Sequence, residues 1–241
     1  MCRMAAILNI ETATSLCSVA LAYDGRVVAQ REVREEKAHA SQLTAFIEDI
    51  LKGRQLKISD LDAIAVGKGP GSYTGLRIGI SVAKGLCYGS NLPLIAVGTL
   101  KVIFRQAMSA QDPLIQDILK RDNTLVCPMI DARRMEVFTC LFTKTGDLVE
   151  DVSAKIIESS SYTAYYPGHA ILYVGSGMEK CRQVLSHPLA VFAPDIFPHA
   201  SSLAELAEES YKRRDFENLA YFEPFYLKDF IATTPKKSVA G

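Results

Sequence analysis

Short apolar stretches separated by turn residues make up most of the first hundred positions of the chain. Stretches that are continuously apolar, or that alternate with a period of two, predict strands, and apolar residues three or four positions apart predict helices. Asp24 and Gly25, between two such strands, are a strong hairpin signal. The predicted strands are 5–10, 16–23, 26–33, 61–66 and 94–97, and the predicted helices are 40–51, 75–88 and 99–108.

The pattern starts again after residue 123. Each half has three strands in succession and then alternating strands and helices, with an acidic residue at the end of its first strand and a later G-x-G turn. The acidic residues are Glu11 and Asp131, and the two turns begin at Gly67 and Gly175. The predicted strands of the second half are 125–130, 135–142, 148–156 and 171–174, and its helices are 178–185 and 201–214.

This repetition predicts an α/β protein with the duplicated, two-lobed fold of the actin-like ATPases, the group of sugar kinases, Hsp70 and actin. We predict an N-terminal lobe over 1–100 and a C-terminal lobe over 101–199. A final helix and closing segment would then occupy 200–231. Residues 232–241 are small or charged and are expected to form a flexible tail.

A glycine-rich turn at 67–75 joins a predicted strand to a predicted helix. Bare backbone N–H groups and the positive end of a helix suit an anion such as phosphate, and Glu11 could approach a cation. The turn is not a P-loop, whose lysine follows the last glycine, and it lacks the third glycine of the dinucleotide fingerprint. The alternative is a purely structural joint beside a hydroxyl-rich hairpin. The candidate nucleotide- or anion-binding residues are Glu11, Thr12, Lys68, Gly69, Gly71, Ser72 and Thr74.

Composition and charge exclude several functional classes. Lys+Arg and Asp+Glu both number 27 in the 241 residues, whereas a stand-alone RNA-binding module usually has a basic excess. The six cysteines form no C-x-x-C pair and lie mostly in apolar stretches, which predicts buried free thiols. Neither a signal peptide nor a membrane-spanning stretch is predicted, so we expect a cytoplasmic protein without membrane contact.

Four segments resemble motifs of the bacterial TsaB (YeaZ) family. They are I-L-N-I-E-T at 7–12, P-G-S-Y-T-G-L-R-I-G at 70–79, D-A-R-R-M-E-V-F at 131–138 and P-F-Y-L-K at 224–228. The resemblance covers nearly the whole chain and implies the same actin-like fold. It also implies a part in placing a threonylcarbamoyl group on the adenosine beside the tRNA anticodon.

The same resemblance implies a non-catalytic subunit. In this family TsaB pairs with TsaD, the catalytic subunit, which acts with the ATPase TsaE on tRNA. TsaD holds a metal through an H-x-x-x-H pair, whereas here His39 is followed four residues later by Leu43. We therefore expect no catalytic residue, no metal site and no cofactor of its own, with ATP or ADP at most at the interface with the partner complex. Alone, the chain is expected to form a homodimer.

The predicted helix 75–88 has small residues at every fourth position, which would let another helix approach closely. From the pattern alone, this face could contact a partner or lie against the sheet of the same lobe. The resemblance favours a partner, because TsaB-like proteins dimerise through helices of the N-terminal lobe. The candidate interface residues are Gly75, Arg77, Gly79, Ile80, Ala83 and Cys87.

Asp131, the counterpart of Glu11, is followed by Arg133 and Arg134. An arginine beside it would pair with it, so a structural turn is expected there. Two other functions stay compatible with the sequence. One is an active kinase or ATPase with Glu11 and Asp131 as metal-facing acids, and the other is a self-associating scaffold without a tRNA role. Ser72 does not lie within G-x-S-x-G, so a glycoprotease function gets no support.

Overall fold

The computed structural model describes residues 4–35 and 38–228, which form two α/β lobes, each built on a five-stranded sheet. The first lobe contains β1 (Ala6–Glu11), β2 (Leu16–Tyr23), β3 (Arg26–Arg34), α1 (Ala38–Gly53), β4 (Ala63–Gly69), α2 (Tyr73–Ser90) and β5 (Leu94–Gly98). Helix α3 (Thr99–Ser109) leads to the second lobe. That lobe contains α4 (Pro113–Leu119), β6 (Thr124–Asp131), β7 (Glu136–Thr143), β8 (Leu148–Ile156), β9 (Ala170–Val174), α5 (Met178–Cys181) and β10 (Ala190–Ala193), and α6 (Ala200–Arg213) follows it.

The two sheets have the same topology. The strand order is β3-β2-β1-β4-β5 in the first sheet and β8-β7-β6-β9-β10 in the second. In each sheet the first three strands in the chain are antiparallel neighbours, and the last two join in parallel. The predicted duplicated, two-lobed actin-like α/β fold is therefore confirmed.

The central strands are mostly apolar because both faces of each sheet are covered. In β1, Leu8 and Ile10 pack towards α1 and α2, whereas Ile7 packs towards α6 on the opposite face. Every residue of β1 is buried. The strand therefore ends in the interior of the lobe, where the side chain of its last residue, Glu11, is buried.

Helix α3 packs in the cores of both lobes, whereas α6 packs on the first sheet. Val102 of α3 packs with the first sheet, while Ile103 and Phe104 pack in the second lobe. Helix α6 follows the second lobe in sequence, yet its Leu203 and Leu206 pack on the first sheet. The predicted boundaries at 100, 199 and 231 stay predictions, and the predicted tail lies outside the described residues.

Some elements differ from those predicted. Helix α4 was not predicted, although Asp112 before Pro113 is a sound start signal, and the Asp112 carboxylate caps the Leu114 and Ile115 N–H groups at 2.8 and 3.1 Å. Strand β10 was not predicted either, since its four residues are too few to show a period. The helix predicted over 178–185 ends at Cys181.

After α6 the chain crosses from one lobe to the other, and we name residues 214–228 the closing segment. The Phe225 N–H donates to the Lys68 carbonyl at 2.8 Å, beside the glycine-rich turn of the first lobe. Three residues later, Lys228 forms an ion pair with Glu136 of β7 in the second lobe. The closing segment therefore contacts both lobes.

The cysteines of the described part of the chain are buried free thiols, as predicted. Burial raises the pKa of Cys17 to about 11 and those of Cys87 and Cys127 to about 12. These thiols are therefore protonated near neutral pH and are poor nucleophiles. Cys2 lies outside the described residues.

Candidate functional site

Helix α2 begins at the glycine-rich turn, and Ser72 is its N-cap. The Ser72 Oγ accepts a hydrogen bond from the Gly75 N–H at 3.2 Å. This bond satisfies one of the N–H groups that the first turn of a helix leaves free, and such caps contribute about 1 kcal/mol. Thr74 lies in the first turn of the helix with an exposed side chain. Ser72 is thus a structural cap in this arrangement.

The glycine-rich turn packs directly on the turn between β1 and β2. The Ser72 N–H donates to the Ala13 carbonyl at 2.7 Å, and the Thr12 hydroxyl donates to the Gly75 carbonyl at 2.8 Å. Both bonds join residues that are about sixty positions apart in the sequence, so they fix the start of α2 against the end of β1. Two of the candidate anion-binding residues therefore bind other parts of the same chain.

Three glycines make this close contact possible. A Cβ atom at Gly71 would lie 2.2 Å from the Ala13 carbonyl oxygen, and one at Gly75 would lie 2.1 Å from that of Thr12. One at Gly79 would lie 2.2 Å from the Thr12 Oγ1. Real Cβ atoms do not approach oxygen so closely, so a side chain at any of these positions would push α2 away. The glycines serve the packing of α2 on the β1–β2 turn.

Glu11, the last residue of β1, is fully buried at the base of the glycine-rich turn. Its Oε1 accepts a hydrogen bond from the Ala13 N–H at 2.7 Å, while Oε2 has no hydrogen-bond partner among the described residues. A Cβ atom at Gly67 would lie 2.1 Å from Oε2, so that glycine makes room for the carboxyl group. Burial raises the pKa of Glu11 to about 7, although N–H groups of Ala13 and Thr12 oppose the shift.

Lys68 and Gly69 are also engaged by the chain itself. The Gly69 N–H donates to the Thr99 hydroxyl at 3.1 Å. The ammonium group of Lys68 lies 3.7 Å from the Glu217 carboxylate. The structure thus brings all the candidate anion-binding residues together at one place, but several of their polar groups already have partners. Anion binding at the turn stays a prediction and would require the two turns to separate.

The small face of α2 points inwards. Ala83, Cys87 and Ile80 are buried, as are the two glycines that contact Thr12. The close approach that small residues allow is therefore made to β1 and its turn in the same lobe. Arg77 is the exposed member of the candidate interface set, and its guanidinium lies 5.1 Å from the centre of the Tyr73 ring. A partner interface on α2 stays a prediction and would involve its exposed side.

The turn between β6 and β7 differs from the predicted arrangement. Asp131 pairs with Lys180 of α5, not with the arginines that follow it in sequence. Its Oδ1 also accepts the backbone N–H of Arg133 at 2.8 Å. Arg133 and Arg134 have positive φ values of 70° and 48°, which cost a non-glycine residue about 1 kcal/mol or more each. The prediction of an Asp–Arg ion pair was wrong because a lysine 49 positions away reaches the carboxylate.

Comparison with known proteins identifies the family. A family model described as "TsaD: tRNA N6-adenosine threonylcarbamoyltransferase" matches residues 33–236. The chain belongs to this family. Within it, the chain is similar to proteins named "tRNA threonylcarbamoyladenosine biosynthesis protein TsaB", which confirms the predicted TsaB (YeaZ) relationship.

Two TsaB relatives show how far the similarity extends. The protein of Escherichia coli strain K12 is 41% identical over 132 residues, which cover 55% of this chain and 52% of that protein. The protein of Haemophilus influenzae is 28% identical over 235 residues, which cover 93% of this chain and 94% of that protein. The chain thus aligns with about half the length of the first TsaB relative and nearly all of the second.

Solved TsaB (YeaZ) structures share the fold over both lobes. YeaZ from Pseudomonas aeruginosa is 27% identical and superposes with a TM-score of 0.76, covering 93% of this chain and 100% of that one. A protein described as uncharacterised, with similarity to peptidase YEAZ from the same organism, is also 27% identical and reaches 0.80 over the same shares. The shared fold therefore extends over nearly the whole chain.

The closing segment is the part of the site that sequence analysis missed. Its P-F-Y-L-K motif was recognised, but its place in the fold was not. A Cβ atom at Gly69 would lie 2.8 Å from the Phe225 carbonyl oxygen, and the Tyr226 ring lies 4.9 Å from that of Tyr73. The four aromatic residues at 221, 222, 225 and 226 were the available signal for a segment that packs on another surface.

Within residues 4–35 and 38–228, no three His, Cys, Asp or Glu side chains are arranged to hold a metal ion. In the same ranges, no helix combines the length and the apolar character needed to cross a membrane.

Proposed function

We propose that the chain is a non-catalytic subunit of the tRNA threonylcarbamoyladenosine modification complex, where it pairs with and supports a TsaD-like catalytic subunit. The contact between the glycine-rich turn and the β1–β2 turn carries this proposal. In a working actin-like ATPase the corresponding turns bind phosphate, whereas here the Ser72 N–H and the Ala13 carbonyl meet at 2.7 Å. Because the chain's own backbone fills the position where phosphate would bind, the TsaD-like partner would carry out the reaction.

The exposed side of α2 supports a pairing function. A groove of about 330 Å³ lies between α1, α2 and the short 3-10 helix Ile58–Asp60. The apolar side chains in its lining are Ile47, Leu51, Leu56, Ile58, Val82 and Leu86. On the same helix, the Tyr88 side chain is 85% exposed. An apolar groove and an exposed aromatic residue on one helix are both typical of protein interfaces.

The proposal extends to the other members of the complex. A TsaE-like ATPase and tRNA would be bound through the assembled complex, and the isolated chain would form a homodimer. The chain would need no cofactor of its own, and ATP or ADP would bind where the partner completes the site. Since tRNA is the substrate, the proposed location is the cytoplasm, without a membrane partner.

Co-purification tests the pairing with TsaD. A tagged chain is expected to retain a TsaD-like protein, and the reconstituted set is expected to form threonylcarbamoyladenosine on tRNA. Tyr88→Arg should weaken retention of the partner at least tenfold, because a charge would be placed in the proposed interface. Tyr221→Arg, at a tyrosine that is 83% exposed in the closing segment, is the matched control and should retain the partner. Failure of the unmodified chain to retain the partner would contradict the proposal.

ATP hydrolysis tests the alternative of an active kinase or ATPase. The isolated chain is expected to hydrolyse ATP no faster than buffer, because Glu11 is buried and the phosphate-binding place is filled. The measurement is steady-state release of inorganic phosphate. Turnover that disappears in Glu11→Ala, with the fold intact by circular dichroism, would favour the kinase instead.

A further inference from the structure

We propose that Arg133 and Arg134, in the turn between β6 and β7, contact the phosphate backbone of RNA. We name residues 132–135 the arginine turn. The inference rests on the proposed function, since tRNA is the nucleic acid that the complex would bind. It adds a specific surface of this chain to that function.

The carboxylates beside the arginine turn are neutralised by lysines. Asp131, just before the turn, pairs with Lys180, and Glu136, just after it, pairs with Lys228. Four cationic side chains therefore accompany two carboxylates at this place. Although the whole chain has no net charge, the turn carries a local positive excess, as an anion-binding surface requires.

The two guanidinium groups themselves are exposed. Both arginines are in the exposed class, and neither forms an ion pair with any residue in the part of the chain that the structure describes. An arginine normally forms an ion pair with a nearby carboxylate. Here the lysines take the carboxylates, so the guanidinium groups stay free to bind a ligand outside the chain.

Hydrogen bonds hold the backbone of the arginine turn in place. The Asp131 carboxylate accepts the Arg133 N–H at 2.8 Å, and the Ala132 N–H donates to the Glu136 carbonyl at 3.1 Å. The left-handed conformation of both arginines suits glycine or asparagine better, so the fold itself gains nothing from the two long side chains. Strained backbone clusters at residues that contact a ligand, although turns and helix ends such as Asn91 and Arg214 adopt positive φ as well.

Phosphate is the group that fits best. A guanidinium donates two parallel hydrogen bonds to phosphate oxygens, and most protein hydrogen bonds to nucleic acids go to the backbone. An acidic protein surface is the other possible ligand. It would also use Ile156, which pairs with Glu136 across the sheet and is 65% exposed. Replacement of Ile156 therefore distinguishes the two ligands.

Binding of a fluorescent tRNA transcript to the isolated chain, followed by anisotropy between 50 and 200 mM salt, tests the proposal. The variant Arg133→Ala with Arg134→Ala should bind about tenfold more weakly at the lower salt, and the salt slope should fall by about 2. Arg213→Ala with Arg214→Ala is the matched control, since these two arginines are also consecutive and exposed, and Arg214 also has a positive φ of 55°. The control should bind tRNA as the unmodified chain does.

Further variants separate binding from a structural role. Arg133→Gly with Arg134→Gly should fold at least as stably as the unmodified chain, because glycine relieves the strain, and should lose tRNA affinity to the same extent. Arg133→Lys with Arg134→Lys should keep most of the affinity, because it keeps the charge. A thermal melt of each variant gives the stability.

Three outcomes would overturn the proposal. The first is equal tRNA affinity of the unmodified chain and the Arg133→Ala, Arg134→Ala variant, and the second is no tRNA binding by either at 50 mM salt. The third is unchanged tRNA affinity with loss of the TsaD-like partner in both this variant and Ile156→Ser, which would identify an acidic protein surface. Because the binding assay needs no partner, arginine-dependent tRNA binding without TsaD retention would instead sink the proposed function and keep this inference.

Discussion

Gly75→Ala is expected to destabilise the protein by about 3 kcal/mol, because its Cβ atom would lie 2.1 Å from the Thr12 carbonyl oxygen. That oxygen belongs to the backbone of the β1–β2 turn, so it cannot rotate away as a side chain could. Urea unfolding followed by circular dichroism measures the change. The same variant should also reduce association with a TsaD-like partner, since α2 would shift.

Gly85 provides the matched control in the same helix. It has no atom within 4 Å of its Cβ position, and it is exposed. Gly85→Ala should therefore stabilise the protein by about 1 kcal/mol, through the higher helix propensity of alanine alone. If both alanine variants proved equally stabilising, the contact between α2 and the β1–β2 turn would not exist as described.

Glu11→Gln is expected to stabilise the protein by about 3 kcal/mol at pH 8 and to have little effect near pH 4. Burial raises the pKa of this carboxyl group from 4.5 to about 7, so the folded state favours the protonated form. The stabilisation from that protonation is complete below pH 4.5 and is lost as the pH rises through 7. Above pH 7 the folded protein holds a buried negative charge, which the neutral amide avoids.

Urea unfolding at pH values from 4 to 8 gives the measurement for Glu11. Glu48→Gln, on the exposed side of α1, is the control and should leave the pH dependence of stability unchanged. Parallel curves for Glu11→Gln and the unmodified protein would show that the Glu11 carboxyl group is solvated in solution.

Much of the fold could be predicted from the sequence because local patterns determine it. The mostly apolar β1 and the Asp24–Gly25 hairpin have strong local signals, and the return of the same pattern after residue 123 reveals the duplication. Helix α4 had an equally clear start signal in Asp112 and Pro113, so its omission was avoidable. Strand β10 had none, since it forms only by pairing with β9.

The candidate site was harder to predict because its meaning depends on distant contacts. The sequence shows that glycines leave N–H groups bare, but it cannot show what lies opposite them. Here the opposite surface is Thr12 and Ala13 of the same chain. In the same way, the nearest residues in sequence suggested an arginine partner for Asp131, whereas the fold supplies Lys180.

Residues near the end of the described chain complete the core of the N-terminal lobe, which is synthesised first. Leu203 of α6 and Phe222 of the closing segment are buried in the cores of the first lobe, although some hundred residues of the second lobe precede them in the chain. During synthesis, β1 to β5 therefore leave the ribosome with part of their sheet uncovered. The second lobe has all its strands and its α3 and α4 contacts before α6 appears. The N-terminal lobe can therefore complete its core only after the C-terminal lobe, α6 and the closing segment have been synthesised, although its own strands are made first.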